Sequence, residues 1–196
     1  NIRAGNTLVG YATYDEVKRA VTSTLDFDNA MEKISVKAAD LQQTFDKFRQ
    51  LQTEGDGSVP AADKLELQKR LKALEDELNR HLAGEYGVKV SDKAAYAKWV
   101  KSHQPFHWFI EFYGILNGGG FDVIIGNPPY VEYSKVRKQY SLQEAYADFS
   151  TNLYASCCFR ASNLKRPEGY ASFIVPVSFP STDRMQPLRE LLLTKH

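Results

Sequence analysis

The sequence predicts an α/β chain: a small parallel sheet with crossover helices in its C-terminal third, preceded by a long all-helical segment. Three observations carry this expectation. Two short apolar runs, Phe121 to Ile125 and Ala171 to Val175, are separated by a stretch of helical pattern from Ser141 to Leu164. A further helical run, Met185 to Leu193, follows them. Strands that alternate with helices form parallel sheets, because a parallel neighbour is reached only by a crossover. Between Met31 and Leu82, finally, apolar residues recur in steps of four and three, which is the period of a helix face.

The elements can be justified in order. "NIRAGNTLVGY" from Asn1 reads as a strand end followed by a turn, with glycines flanking Asn6-Thr7. Apolar residues at Ile34, Ala38, Leu41, Phe45 and Phe48 predict one helix, and "TEGDGSVPAAD", Thr53 to Asp63, predicts a turn. Leu67, Leu71, Leu74, Leu78 and Leu82 resume the same spacing, so the two stripes predict an antiparallel, coiled-coil-like hairpin. "SDKAAYAKWVKSH" opens with Ser91 as N-cap and predicts a third helix ending before Pro105. "PFHWFIEFYGIL" is dense in aromatics and reads as buried, as does the second strand, closed by Pro176. The expected boundaries are a sheet-bearing part, 1–14 with 105–196, and a helical insertion, 15–104.

Composition excludes several classes. With 43% apolar and 25% charged residues over 196 positions, the chain has the makeup of a globular domain with its own core rather than of a disordered segment. Lys and Arg number 25 against 24 Asp and Glu, so no global field announces a polyanionic partner, although a local basic patch remains open. No apolar run reaches the roughly 18 residues of a spanning helix, and no secretory signal opens the chain. A cytoplasmic protein without a membrane partner is expected. Cys157 and Cys158 are adjacent and point apart in any regular element, which argues against a disulfide framework and against a metal site. The chain starts at Asn1 and stops after "PLRELLLTKH", and it reads as a piece of a longer protein.

The stretch "GGGFDVIIGNPPYVEY", Gly118 to Tyr133, carries the chemistry. An apolar strand runs straight into Gly126-Asn127-Pro128-Pro129-Tyr130, where two prolines forbid both helix and further ladder pairing. Ligands of open α/β sheets sit at the carboxyl ends of strands, which is where this tetrapeptide falls. Asn127 brings a carbonyl acceptor and an amide donor, Pro128 a backbone carbonyl without an N–H, and Tyr130 an aromatic face. Two acceptors beneath a flat ring suit a planar exocyclic amine. Hydrogen bonds to both of its protons favour the pyramidal, lone-pair-localised form needed for attack on a methyl donor. The bland alternative is a tight strand exit with Tyr130 as a packing residue.

With those residues in view, the chain resembles the amino-methyltransferases that use S-adenosylmethionine. It is similar above all to DNA adenine-N6 methyltransferases of the large single-chain type II restriction–modification kind. The resemblance rests on "NIRAGNTLVGY" at Asn1, "HWFIEFYGILNGGGFDVIIGNPPYVEY" from His107 and "GYASFIVPVSF" from Gly169. It implies a partial Rossmann-like methyltransferase sheet interrupted by the helical insertion. It also implies that Asn127 and the Pro128 carbonyl bind the adenine amino group, with Pro129 stiffening the loop, and that Tyr130 stacks on a base flipped out of double-stranded DNA. Asn6 would face the cofactor's adenine, a position where the family often carries Asp. The loop that holds the methionine part of S-adenosylmethionine and the ribose-binding acid are expected before Asn1, and recognition domains beyond His196. The chain alone is therefore expected to be inactive.

Tyr133, Lys135, Arg137 and Lys138 place an aromatic among cations just after the catalytic loop, suited either to phosphate contacts beside a flipped base or to a solvated loop. His103 and His107 are four apart, but Pro105 lies between them and no acid or Cys is spaced to complete a metal site. Two other functions stay open at this point. The same tetrapeptide serves methyltransferases of RNA bases or of glutamine amides, and the helical segment alone would suit a non-catalytic interaction module.

Overall fold

The structure is a computed structural model that describes residues 3–22, 32–40, 42–44, 46 and 61–194. In chain order it has α1 (Tyr14–Thr22), α2 (described over 32–40, 42–44 and 46), α3 (Ala61–Glu85), α4 (Lys93–His103), α5 (Trp108–Glu111), α6 (Tyr113–Asn117) and β1 (Phe121–Gly126). Then come α7 (Tyr133–Val136), a 3₁₀ turn (Glu144–Phe149), α8 (Leu153–Leu164), β2 (Lys165–Phe173), a second 3₁₀ turn (Asp183–Met185) and α9 (Gln186–Thr194). The described residues thus form a mixed helix-and-strand structure, mostly helical, with a small two-stranded sheet.

β1 and β2 are parallel, with α8 as the crossover between them. Val123 lies opposite Tyr170, Ile125 opposite Ser172 and Gly126 opposite Phe173. The second strand begins and ends earlier than the expected Ala171 to Val175. A register slip after Phe121 lets Lys165 pair at its start, and Pro176 removes an N–H donor soon after its end. Gly120, at φ +114, makes the tight entry to β1, where a Cβ would meet the Leu164 carbonyl oxygen at 2.7 Å. The expectation of a buried second strand needs correction. Val123, Ile125 and Tyr170 share a face by the two-residue alternation and are 53%, 79% and 76% exposed. Parallel sheets ordinarily have helices on both faces; here α8 packs on β2, and the row of Val123, Ile125 and Tyr170 stays bare among the described residues.

Among the described residues, the N-terminal segment forms no strand next to β1. Arg3 and Ala4 have no regular structure, and Ile2 lies outside the described residues. The backbone pairs instead with residues 104–109. Asn6 N–H donates to Gln104 O at 2.8 Å, Phe106 N–H to Val9 O at 2.7 Å and Phe109 N–H to Tyr11 O at 3.1 Å. Gly10, at φ +129, permits this crossing, because any Cβ there would collide with the Phe106 carbonyl.

The largest core joins this segment to the helices. Val9, Tyr11 and Val17 pack with Ile34 and Ala38 of α2, with Leu67, Leu74, Leu78 and Leu82 of α3, and with Trp99, Phe109 and Ile110. Lys37 pairs with Glu77 at 2.7 Å and Asp40 with Arg70 at 2.6 Å, so α2 rises as α3 descends and the two run antiparallel. Leu41, Phe45 and Phe48 lie outside the described residues, as does most of the turn expected after them. Two helix starts differ from expectation. Asp92, not Ser91, caps α4, its Oδ1 accepting the Ala95 N–H at 3.0 Å. The helical pattern from Ser141 to Leu164 is broken at Asn152, whose Oδ1 accepts the Tyr154 N–H at 3.3 Å and so starts α8 afresh.

Candidate active site

Asn127, Pro128 and Pro129 leave the carboxyl end of β1 and lie on the lining of a groove of about 590 Å³. One wall is aromatic. Trp108 stacks on Phe112 at 5.4 Å between ring centres, and both meet Phe121 of β1 edge-on, at 6.0 and 5.3 Å. Phe106 stands edge-on to Trp108 at 5.0 Å, and the Trp108 indole N–H donates to Thr7 O at 3.2 Å. Gly5 and Thr7 bring the N-terminal segment to the same groove.

Pro128 is buried, while Asn127, Pro129 and Tyr130 are exposed. Tyr130 is 48% exposed and is not among the groove-lining residues; its ring meets Tyr154 edge-on at 6.2 Å. Its hydroxyl lies 2.8 Å from the Ile174 carbonyl oxygen and 3.2 Å from the Asn127 side-chain oxygen. The Ile174 N–H in turn donates to Gly126 O at 3.1 Å, so the exits of the two strands are braced together.

Among the described residues, the charged side chains lining the groove are Arg3 and Arg160, and no carboxylate is among them. Arg3 pairs with Glu111 at 2.9 Å, and burial of Glu111 raises its pKa. Arg160, 3% exposed, pairs with both Glu16 oxygens at 3.0 Å and donates to Gly10 O at 3.1 Å. Cys157, also on the lining, is a thiol, since burial pushes its pKa up to about 11.

The other sequence candidates are placed as follows. Asn6 is half-buried, its Oδ1 accepts the Leu8 N–H at 3.2 Å, and it is not on the groove lining although its neighbours are. Tyr133 is half-buried and its hydroxyl accepts the Leu142 N–H at 2.9 Å, so it packs rather than standing among the cations. Lys135, Arg137 and Lys138 are exposed beside it. His107 is buried and held by Tyr11 and Asn79, while His103 stacks on Trp99; no cluster of three metal-ligating side chains occurs among the described residues. The aromatic groove wall was the part that the sequence did not single out. Its signal was present in "PFHWFIEF", which reads as core by composition alone.

The Eco57I restriction-modification methylase family matches residues 32–196, most of the chain. The chain belongs to that family. It is also similar to two curated proteins. One, from Methanocaldococcus jannaschii, is named as a type II restriction enzyme and methyltransferase and is 40% identical over 93 residues, 47% of this chain and 8% of that protein. The other, the modification methylase CviBIII of Paramecium bursaria Chlorella virus NC1A, is 34% identical over 83 residues, 41% of this chain and 21% of that one. The chain thus matches only a small part of the length of either relative. No solved structure matches it. No described helix is long and apolar enough to cross a membrane.

Proposed function

We propose that this chain is the catalytic middle of a DNA methyltransferase that transfers a methyl group from S-adenosylmethionine to the N6 amino group of adenine, within a restriction–modification system. The observation that carries this reading is the position of Asn127-Pro128-Pro129 on a groove at the carboxyl end of a parallel strand, with Tyr130 exposed beside it. In this reading the β1–β2 pair is part of a Rossmann-like methyltransferase sheet. Residues 1–14 and 105–196 belong to the catalytic domain, and residues 15–104 are an insertion in it.

The groove fits the donor in part. Its aromatic wall suits a flat heteroaromatic ring, and the groove's described residues include no carboxylate for the donor's ammonium and ribose. In this reading those groups are held by other parts of the whole protein. Asn6, one residue from the groove, would meet the donor's adenine only at the groove's margin. S-adenosylmethionine, when bound, supplies an electrophilic methyl group. The chain's own residues act on the acceptor. Asn127 Oδ1 and the Pro128 carbonyl accept the two amine protons and favour the pyramidal nitrogen, and the prolines keep those acceptors fixed while it forms. Tyr130, next to this pair, offers a ring to a base turned out of the duplex. Lys135, Arg137 and Lys138 then suit the flanking phosphates.

In the whole protein, Asn127→Ala is expected to slow methyl transfer at least a hundredfold, since one preorganised acceptor in such a site contributes on the order of 3 kcal/mol. Binding of S-adenosylmethionine should persist. Transfer from tritiated donor to unmethylated plasmid DNA measures this, and a rate within a few-fold of wild type removes Asn127 from the role.

A further inference from the structure

Tyr130 carries one phenolic proton and faces two oxygens. The Ile174 carbonyl, at 2.8 Å, can only accept, and the N–H of the same residue is bonded to Gly126 O. The shorter contact therefore takes the proton. What remains on Tyr130 Oη is a lone pair, and a lone pair 3.2 Å from the Asn127 oxygen is repulsive. A half-turn of the Asn127 amide exchanges its oxygen and nitrogen within nearly the same volume. The contact then becomes a donation from Asn127 Nδ2 to Tyr130 Oη. Asn127 lines the groove and Tyr130 does not.

We infer that the Tyr130 hydroxyl is a positioning group: anchored on the Ile174 carbonyl at the exit of β2, it holds the Asn127 amide with Nδ2 toward itself and Oδ1 toward the groove. This rests on the reading of Asn127 as acceptor for a substrate amine. Without the hydroxyl the two amide orientations differ little in energy. The wrong one sets an Nδ2–H against the protons of the amine, donor on donor, and is unproductive. Tyr130 thus has two separable parts, a ring available to a flat base and a hydroxyl that selects one orientation of its neighbour.

Tyr130→Phe in the whole protein tests this, because it keeps the ring at an exposed position and removes only the oxygen. Single-turnover methyl transfer to unmethylated plasmid DNA should fall about tenfold, the scale of one lost hydrogen bond, while the dissociation constant for that DNA stays within about twofold. A second comparison uses Asn127→Asp. A carboxylate presents an acceptor in either orientation and leaves the hydroxyl nothing to select, so adding Tyr130→Phe to that variant should change its rate by less than about twofold. A wild-type rate in Tyr130→Phe overturns the inference. So does an equal tenfold loss in the Asn127→Asp background, or a loss confined to DNA binding. A wild-type rate in Asn127→Ala overturns the site reading and this inference together; an inactive Asn127→Ala beside a fully active Tyr130→Phe overturns this inference alone.

Discussion

His107 is buried where the N-terminal segment crosses the helices. Its Nδ1 accepts the Tyr11 N–H at 3.1 Å, so the ring proton sits on Nε2 and is donated to Asn79 Oδ1 at 3.0 Å. The imidazole is a neutral structural joint. Burial, with the Arg160 charge as a second cause, lowers its pKa to about 3. The unfolded chain therefore binds a proton at pH values where the folded chain does not, and stability rises with pH across that window. The contribution is fully present above about pH 6.5 and is lost as pH falls from there toward 3. At pH 5 the loss amounts to about 2 kcal/mol. Urea midpoints at pH 7 and pH 5 should show that loss in the wild type, and His107→Gln, although less stable at both, should show a drop smaller by about that amount. Equal drops in the two proteins would assign the acid sensitivity elsewhere.

α8 is both the crossover between β1 and β2 and the tie to the N-terminal segment. Arg160 at its middle binds Glu16 of α1 and the Gly10 carbonyl, and its guanidinium carbon stands 5.3 Å from the centre of the Tyr146 ring. Removing one partner of a buried ion pair leaves the other charge uncompensated, so Arg160→Ala should cost about 3 kcal/mol in urea unfolding. Replacing Arg160 and Glu16 together by apolar residues should cost less than the single change. None of this tie was legible beforehand, because an arginine in a helical pattern reads as solvent-facing and its partner lies 144 residues away. The α3 stripe was legible for the opposite reason. Burial of one face repeats every turn, and Leu67, Leu74, Leu78 and Leu82 record it in sequence without reference to any other element. Helix starts fall between these cases, since Ser91, Asp92 and Asn152 are all competent caps and only the final backbone path chooses among them.

Across the whole molecule, the end of β1 was readable because two prolines after an apolar run leave few conformations. The groove was not, since its walls come from the residue 106–112 region, β1 and α8, brought together only by tertiary packing. That groove offers a donor its aromatic wall but, among the described residues, no carboxylate. Isothermal titration of this chain with S-adenosylmethionine should therefore give a dissociation constant near the millimolar range, several kcal/mol short of a micromolar site. A low-micromolar value would mean that the donor is held by residues of this chain after all. The two tryptophans happen to divide the molecule for such a measurement. Trp99 lies in the helical core against His103, and Trp108 stands on the groove wall with its indole N–H bonded to Thr7. Excited at 295 nm, a wavelength that selects indole, a chain with Trp99→Phe would glow from the groove alone. Its emission would shift to shorter wavelength as water leaves the wall, so the molecule carries an internal lamp for its own site that needs no attached dye.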